Sequence, residues 1–182
     1  MTYLPNLLTV GRMVLVAPFV GLFYLPDAEI AAWTTFGIFV LAAISDFFDG
    51  WLARRLDVVS QFGRIFDPVA DKLLVAAALI MLTAEGRAPA IAVVLILLRE
   101  ILISGVREGF AGSLSIPVST LAKWKTAAQM AAISLLLIAP ALVTLSAPLA
   151  LAGEAALWLA TLLGWLTVIL YMSGVSRQWP GK

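Results

Sequence analysis

The sequence predicts an all-α, polytopic membrane protein with six transmembrane helices in a single catalytic domain spanning residues 1–182. Two observations carry this expectation. Of the 182 residues, 62% are hydrophobic and 13% charged, with a mean hydropathy of +1.02. A soluble domain has about half apolar and about a quarter charged residues. The apolar residues also run in long unbroken stretches instead of alternating with polar ones. Helices, which satisfy their own backbone groups within the bilayer, are therefore expected over barrel strands.

A span needs about 20 apolar residues, and six stretches come close, at 7–25, 28–53, 64–84, 88–110, 121–141 and 148–174. The first is preceded by Thr2 to Arg12, an interfacial segment in which Pro5 and Asn6 resemble a helix start. Pro26 and Asp27 separate the first span from the second, and the polar break Leu56 to Gln61 ends the second. Glu85, Gly86 and Arg87 close the third. Gly112, Ser113, Ser115 and Pro117 mark the longest break, after the fourth. Pro140 to Pro148 divides the fifth from the sixth. No internal repeat is evident, and no stretch is long enough for a soluble domain.

Six spans put both termini on one side, and basic residues decide which. Arg12, Arg54, Arg55, Arg64, Lys72, Arg99, Arg107, Lys123, Lys125, Arg177 and Lys182 fall toward one face. Arg87 falls toward the other, beside Asp27, Glu29, Glu85 and Glu154. The positive-inside bias then places the termini in the cytoplasm. The expected location is a bacterial cytoplasmic membrane, with the functional face inward. Membrane lipid is the expected surrounding, and a net charge of +1 gives no sign of nucleic acid as a partner.

The chain has no cysteine and no histidine. Disulfides, thiolate sites and imidazole ligands are therefore excluded. A general base must be Asp, Glu, Lys or Tyr, and a bound metal must rely on oxygen ligands, which suits Mg²⁺ or Mn²⁺.

Against this background four aspartates stand out, because charge at membrane depth is expensive and is usually kept for function. They form the pattern Asp46-x2-Asp49-Gly50-x2-Ala53-Arg54-x8-Gly63-x3-Asp67-x3-Asp71. Asp46 and Asp49 are three apart near the end of the second span, and Asp67 and Asp71 four apart near the start of the third; each spacing keeps both members on one helix face. The short connection predicts that these helices are antiparallel neighbours, so that both pairs line one cleft. Gly50, Ala53 and Gly63 would keep that cleft open, and Arg54 would add a cation at its mouth. Carboxylates so close need divalent cations to remain ionised together. Two bridged metals form a recurrent clamp for displacement at phosphorus. Asp71, last on the ladder, is the expected base. The bland alternative is a set of ordinary helix-end charges, which explains one such aspartate better than the whole spaced pattern.

This pattern resembles, without gap or substitution, the signature of the CDP-alcohol phosphatidyltransferases, a family of six-helix membrane enzymes. The resemblance implies that Asp46, Asp49 and Asp67 hold metal, with two Mg²⁺ or Mn²⁺ ions expected, and that Asp71 is the base and a further metal contact. It implies that Gly50, Ala53, Arg54 and Gly63 line the site for the CDP moiety. Asn6, Thr9 and Arg12, at i, i+3 spacing, would help close that site; a plain helix start with an interfacial Arg explains them nearly as well.

The stretches LPNLLTVGRMVLVAPFVGLFYLP, FDPVADKLLVAAALIML, LLREILISGVRE and LAKWKTAAQM resemble family members that take glycerol 3-phosphate as acceptor. The implied substrates are CDP-diacylglycerol and glycerol 3-phosphate, with CMP released. Members are often dimeric, so a homodimer is a candidate assembly. An anionic acceptor fits Arg99, Arg107, Lys123 and Lys125, which the fourth and fifth spans carry toward the cytoplasm. Arg offers a bidentate fork to phosphate. Snorkelling at the interface accounts about equally well for any one of them, least comfortably for Arg99, which lies deeper in its apolar run. Trp33, Trp124, Trp158, Trp165 and Trp179 read as belt or packing aromatics.

Rival readings keep the aspartate site but change the acceptor to phosphatidylglycerol, serine or inositol phosphate. A rival of another class is a divalent-cation transporter. That would spread acids through the membrane depth, whereas here they cluster toward one face.

Overall fold

The computed structural model describes the backbone of residues 3–56, 61–109 and 120–178, and the side chains of residues 10–11, 13–45, 72–106, 109 and 120–174. Among the described residues there are six long helices and no strand. They are α1 (Tyr3–Leu22), α2 (Ala28–Leu56), α3 (Gln61–Ala84), α4 (Ala90–Gly109), α5 (Thr120–Ile138) and α6 (Ser146–Gln178). Two short 3₁₀ turns, Ala139–Ala141 and Val143–Leu145, join α5 to α6.

Local chemistry accounts for the helix ends. The last turn of α1 tightens into i→i+3 bonds, with the amides of Phe23, Tyr24 and Leu25 reaching Val20, Gly21 and Leu22 at 3.2, 3.1 and 3.3 Å. Asp27 then caps α2, its Oδ1 accepting from the amides of Glu29 at 2.9 Å and Ile30 at 3.1 Å. Beyond α3, Gly86 adopts φ +70°. Its amide bonds Thr83 O at 3.0 Å and the Arg87 amide bonds Leu82 O at 2.8 Å, the paired bonds of a Schellman cap. Pro140 lies in the first 3₁₀ turn, where it stops α5. The hydroxyls of Thr34, Thr35, Thr83, Thr126 and Thr161 donate to carbonyls one turn back, so they bring no unsatisfied polar group into an apolar setting.

The core draws on every helix: Phe19 of α1, Phe39 of α2, Leu79 and Leu82 of α3, Ile96 of α4, Ile133, Leu136 and Leu137 of α5, and Leu157 of α6. Helix α5 is its centre, packing most extensively on α6 and also on α2 and α3. Gly153 of α6 is buried where that helix meets α5 at Leu136 and Ala132. Large apolar side chains such as Val14, Leu41, Ile91, Ile101, Leu151 and Ile169 lie exposed on the outside, a surface suited to lipid rather than water.

Three helical stretches among the described residues are long and apolar enough to cross a membrane: Ala28–Ser45, Thr120–Ala141 and Val143–Gly174. Met13–Leu22 and Lys72–Ala84 are shorter apolar helices. The six expected spans thus correspond to six helices, of which three meet the length and hydropathy of a span. Only the described residues of α1, α3 and α4 bear on this comparison; in α4, Arg99 and Glu100 interrupt the apolar run.

The expected direct pairing of α2 with α3 is not among the principal packings of the described residues. Helix α1 packs on both, and α5 also touches both. Apolar positions of α3, Leu74, Ala78 and Leu82, join the common core. A short connection fixes the ends of two helices without fixing what lies between their bodies.

Candidate active site

The backbone carries the aspartate motif on two consecutive helices. Asp46, Asp49, Gly50, Ala53 and Arg54 lie in the second half of α2, and Gly63, Asp67 and Asp71 in the first half of α3. Four residues of chain, 57–60, separate the helices. The motif therefore belongs to the end of the fold opposite Asp27 and Glu85, at the far ends of the same helices. Asn6, Thr9 and Arg12 lie on α1, the helix that packs on both α2 and α3. The side chains of all these residues, and of Arg107, lie outside the described residues.

The donor set suits a hard divalent cation: four carboxylates, no histidine and no cysteine anywhere in the chain. Among the described residues no group of three or more Asp, Glu, His or Cys forms a second candidate centre.

The described side chains build an ionic cluster next to this motif. Lys72 immediately follows Asp71 on α3. Its Nζ donates to Ser104 Oγ of α4 and lies 3.6 Å from Glu100 Oε2. Glu100 Oε1 accepts from Arg99 Nη1 at 2.8 Å and from Lys125 Nζ at 2.5 Å. Arg99 Nη2 donates to Thr167 Oγ1 of α6 at 2.8 Å, and that hydroxyl donates onward to Gly164 O at 2.6 Å. Four helices thus converge on three cations and one carboxylate. Lys125 and Arg99 are nearly buried, with side-chain exposures of 8% and 11%, whereas Lys72 is 41% exposed.

Burying charges is tolerable only where they are paired and hydrogen-bonded, and here one carboxylate serves three cations. The formal excess is positive. Two buried donors in the same region, Arg99 Nε and Trp165 Nε1, have no acceptor among the described residues, and both residues line one small space with Glu100 and Lys125.

Of the four cations expected from the sequence to hold an acceptor phosphate, the structure brings Arg99 and Lys125 together. Lys123 is exposed. It lies two residues from Lys125, and residues so spaced do not share a helix face. Lys72, Glu100, Ser104 and Thr167 join the cluster without having been singled out as binding residues. Lys72 carried a usable signal, being the residue after the last aspartate of the motif. Thr167 carried none, because its position depends on how α6 packs against α4 and α5. Trp165 is a packing residue beside the ions rather than part of an aromatic belt.

The model of the CDP-alcohol phosphatidyltransferase family matches residues 2–172 of this chain. A CDP-diacylglycerol–glycerol-3-phosphate 3-phosphatidyltransferase of Rickettsia typhi is 42% identical over 175 residues, covering 94% of this chain and 96% of its own. The protein of that name from Rickettsia prowazekii is 43% identical over 172 residues, covering 92% of each. A CMP-forming cardiolipin synthase of rice is 40% identical over 152 residues, covering 74% of this chain and 45% of its own. With the motif intact on α2 and α3 and the family model matching nearly end to end, the chain belongs to the CDP-alcohol phosphatidyltransferase family.

Proposed function

We propose that this chain transfers the phosphatidyl group of CDP-diacylglycerol to sn-glycerol 3-phosphate, giving phosphatidylglycerol phosphate and CMP. The observation that carries the reading is near full-length similarity to relatives named for that reaction. The structure adds a cluster with excess positive charge beside the aspartate motif, suited to an acceptor that bears phosphate. The six helices would all span a bacterial cytoplasmic membrane with the aspartate end facing the cytoplasm, in accord with the basic residues gathered toward that end.

In this reading the acyl chains stay in lipid while the nucleotide end meets the aspartate motif. Asp46, Asp49, Asp67 and Asp71 would hold Mg²⁺ or Mn²⁺, two ions being expected. The ions would supply charge stabilisation to the pyrophosphate and the departing CMP. Gly50, Ala53, Arg54 and Gly63, with Asn6, Thr9 and Arg12 of α1, would receive the CDP moiety. Arg99, Lys125 and Lys72 would hold the acceptor's phosphate, with Arg107 as a further contributor. Asp71 would take the proton of the C1 hydroxyl. That oxygen would bond to the phosphorus bearing diacylglycerol, and the bond from that phosphorus to CMP would break. One displacement suffices, since the motif offers no Cys, His or activated Ser as nucleophile.

The rice relative favours one second reading, in which phosphatidylglycerol is the acceptor. The family match supports a transferase over a divalent-cation transporter. The deciding experiment is CMP release by the purified protein with CDP-diacylglycerol, Mg²⁺ or Mn²⁺, and glycerol 3-phosphate, phosphatidylglycerol, inositol phosphate or serine. The proposal expects release with glycerol 3-phosphate. Release with another acceptor alone would overturn it.

A further inference from the structure

Within the cluster Glu100 has a part that phosphate binding by cations does not explain. Arg99, Lys125 and Lys72 come from three different helices, and Glu100 is the carboxylate they share. Arg99 is held at both ends of its guanidinium: Nη1 by Glu100 at 2.8 Å and Nη2 by Thr167 at 2.8 Å. Lys125, 8% exposed at its side chain, is held by Glu100 at 2.5 Å. Without a shared anion these buried cations would repel one another and move apart. With it, the three cations can stay together, each paired or hydrogen-bonded.

We propose that Glu100, with Thr167 as second anchor, is the positioning residue of the acceptor-phosphate site: it fixes Arg99 and Lys125 relative to each other. This rests on the reading of that site under Proposed function. Glu100 touches neither substrate nor the reacting atoms; it acts through the cations. Its carboxylate reaches two nitrogens with one oxygen and faces a third with the other, so its length matters as well as its charge.

The test is steady-state kinetics of the full-length protein with CDP-diacylglycerol and glycerol 3-phosphate, comparing wild type, Glu100→Asp and Thr167→Val, with thermal unfolding of each. Glu100→Asp keeps the charge and shortens the reach by one methylene. It should raise KM for glycerol 3-phosphate by about tenfold, because misplacement by about 1 Å weakens an oriented site severely. KM for CDP-diacylglycerol and kcat should stay within about threefold of wild type, as the cations act on acceptor binding alone. Thr167→Val, which removes the other anchor without changing charge or size, should raise the same KM by about two- to fivefold. This second variant decides the matter if Glu100→Asp fails to fold. Unchanged KM for glycerol 3-phosphate in a folded variant overturns the proposal. So does a parallel rise in both KM values with a fall in kcat and melting temperature, the pattern of a structural role. Failure of the wild type itself to release CMP with glycerol 3-phosphate overturns the functional reading, and this inference with it.

Discussion

The approach of α6 to α5 at Gly153 predicts a destabilisation that its neighbour Gly164 will not share. A Cβ built on Gly153 would lie 2.8 Å from Leu136 Cγ, 2.9 Å from Leu136 Cδ2 and 3.3 Å from the Ala132 carbonyl oxygen. Leu136 is 1% exposed within the core and its carbonyl receives Arg87, so it has little freedom to retreat. At Gly164 the nearest atoms are Lys125 Cδ and Cγ at 3.7 Å and Arg99 Cδ at 3.8 Å, ordinary contact. Both alanines share the helix-propensity gain over glycine, about 1 kcal/mol. Gly153→Ala alone adds overpacking, typically about 1–3 kcal/mol. The difference between the two variants should therefore be about 1–3 kcal/mol, with Gly164→Ala the more stable. For a chain of this size 1 kcal/mol moves the melting temperature by roughly 2–4 °C. Thermal unfolding of both variants in the same detergent measures the difference. A Gly153→Ala protein that melts at or above Gly164→Ala would refute the close approach of α6 to α5 and the small-residue packing inferred from it.

The Arg87 guanidinium donates to the carbonyls of Leu136 and, at 3.1 Å, Leu137, in the last turn of α5. Arg87→Met should cost about 1–3 kcal/mol by leaving those carbonyls without donors, seen as a lower melting temperature with substrate KM values unchanged. Lys123→Ala should leave KM for glycerol 3-phosphate within about twofold, because its side chain is exposed. Lys125→Met should raise that KM by at least about tenfold, equivalent to about 1.4 kcal/mol, by removing a buried cation. Asp71→Asn should lower kcat by about 10²–10⁴ with the fold retained, the usual contribution of a positioned general base. Chelation of divalent cations should abolish CMP release by the wild type, and added Mg²⁺ or Mn²⁺ should restore it. Near-normal turnover after either treatment would count against the corresponding assignment.

Much of the architecture was legible because helix boundaries here are set by local chemistry. Asp27 before an apolar run, Gly86 after one, and Pro140 between two are each sufficient to start or stop a helix. All three lie in the breaks that the sequence marks. The neighbours of each helix were not legible in this way. The short connection suggests that α2 and α3 are neighbours; among the described residues it is α1 that packs against both. Which apolar face meets which partner depends on the fit of all six helices at once, and helix α5 takes the central place that no local pattern assigns to it.

The candidate site divides along the same line. The aspartate motif is contiguous in sequence and the backbone carries it on two consecutive helices, as its spacing suggests; the metal and proton chemistry proposed for it rests on residue type and on the family resemblance. The cation cluster is discontinuous. Arg99 and Lys125 could be nominated as cations and Glu100 as a partner for them, but Lys72 as the third member and Thr167 as the anchor of Arg99 required four helices to converge. By itself, then, the sequence determined the apolar all-helical class, most helix limits and the aspartate motif that marks the family, because each depends on composition or on residues within a few turns of one another. Only the tertiary structure decided which cations meet and which carboxylate they share, because electrostatic pairing depends on separations in space that chain spacing does not contain.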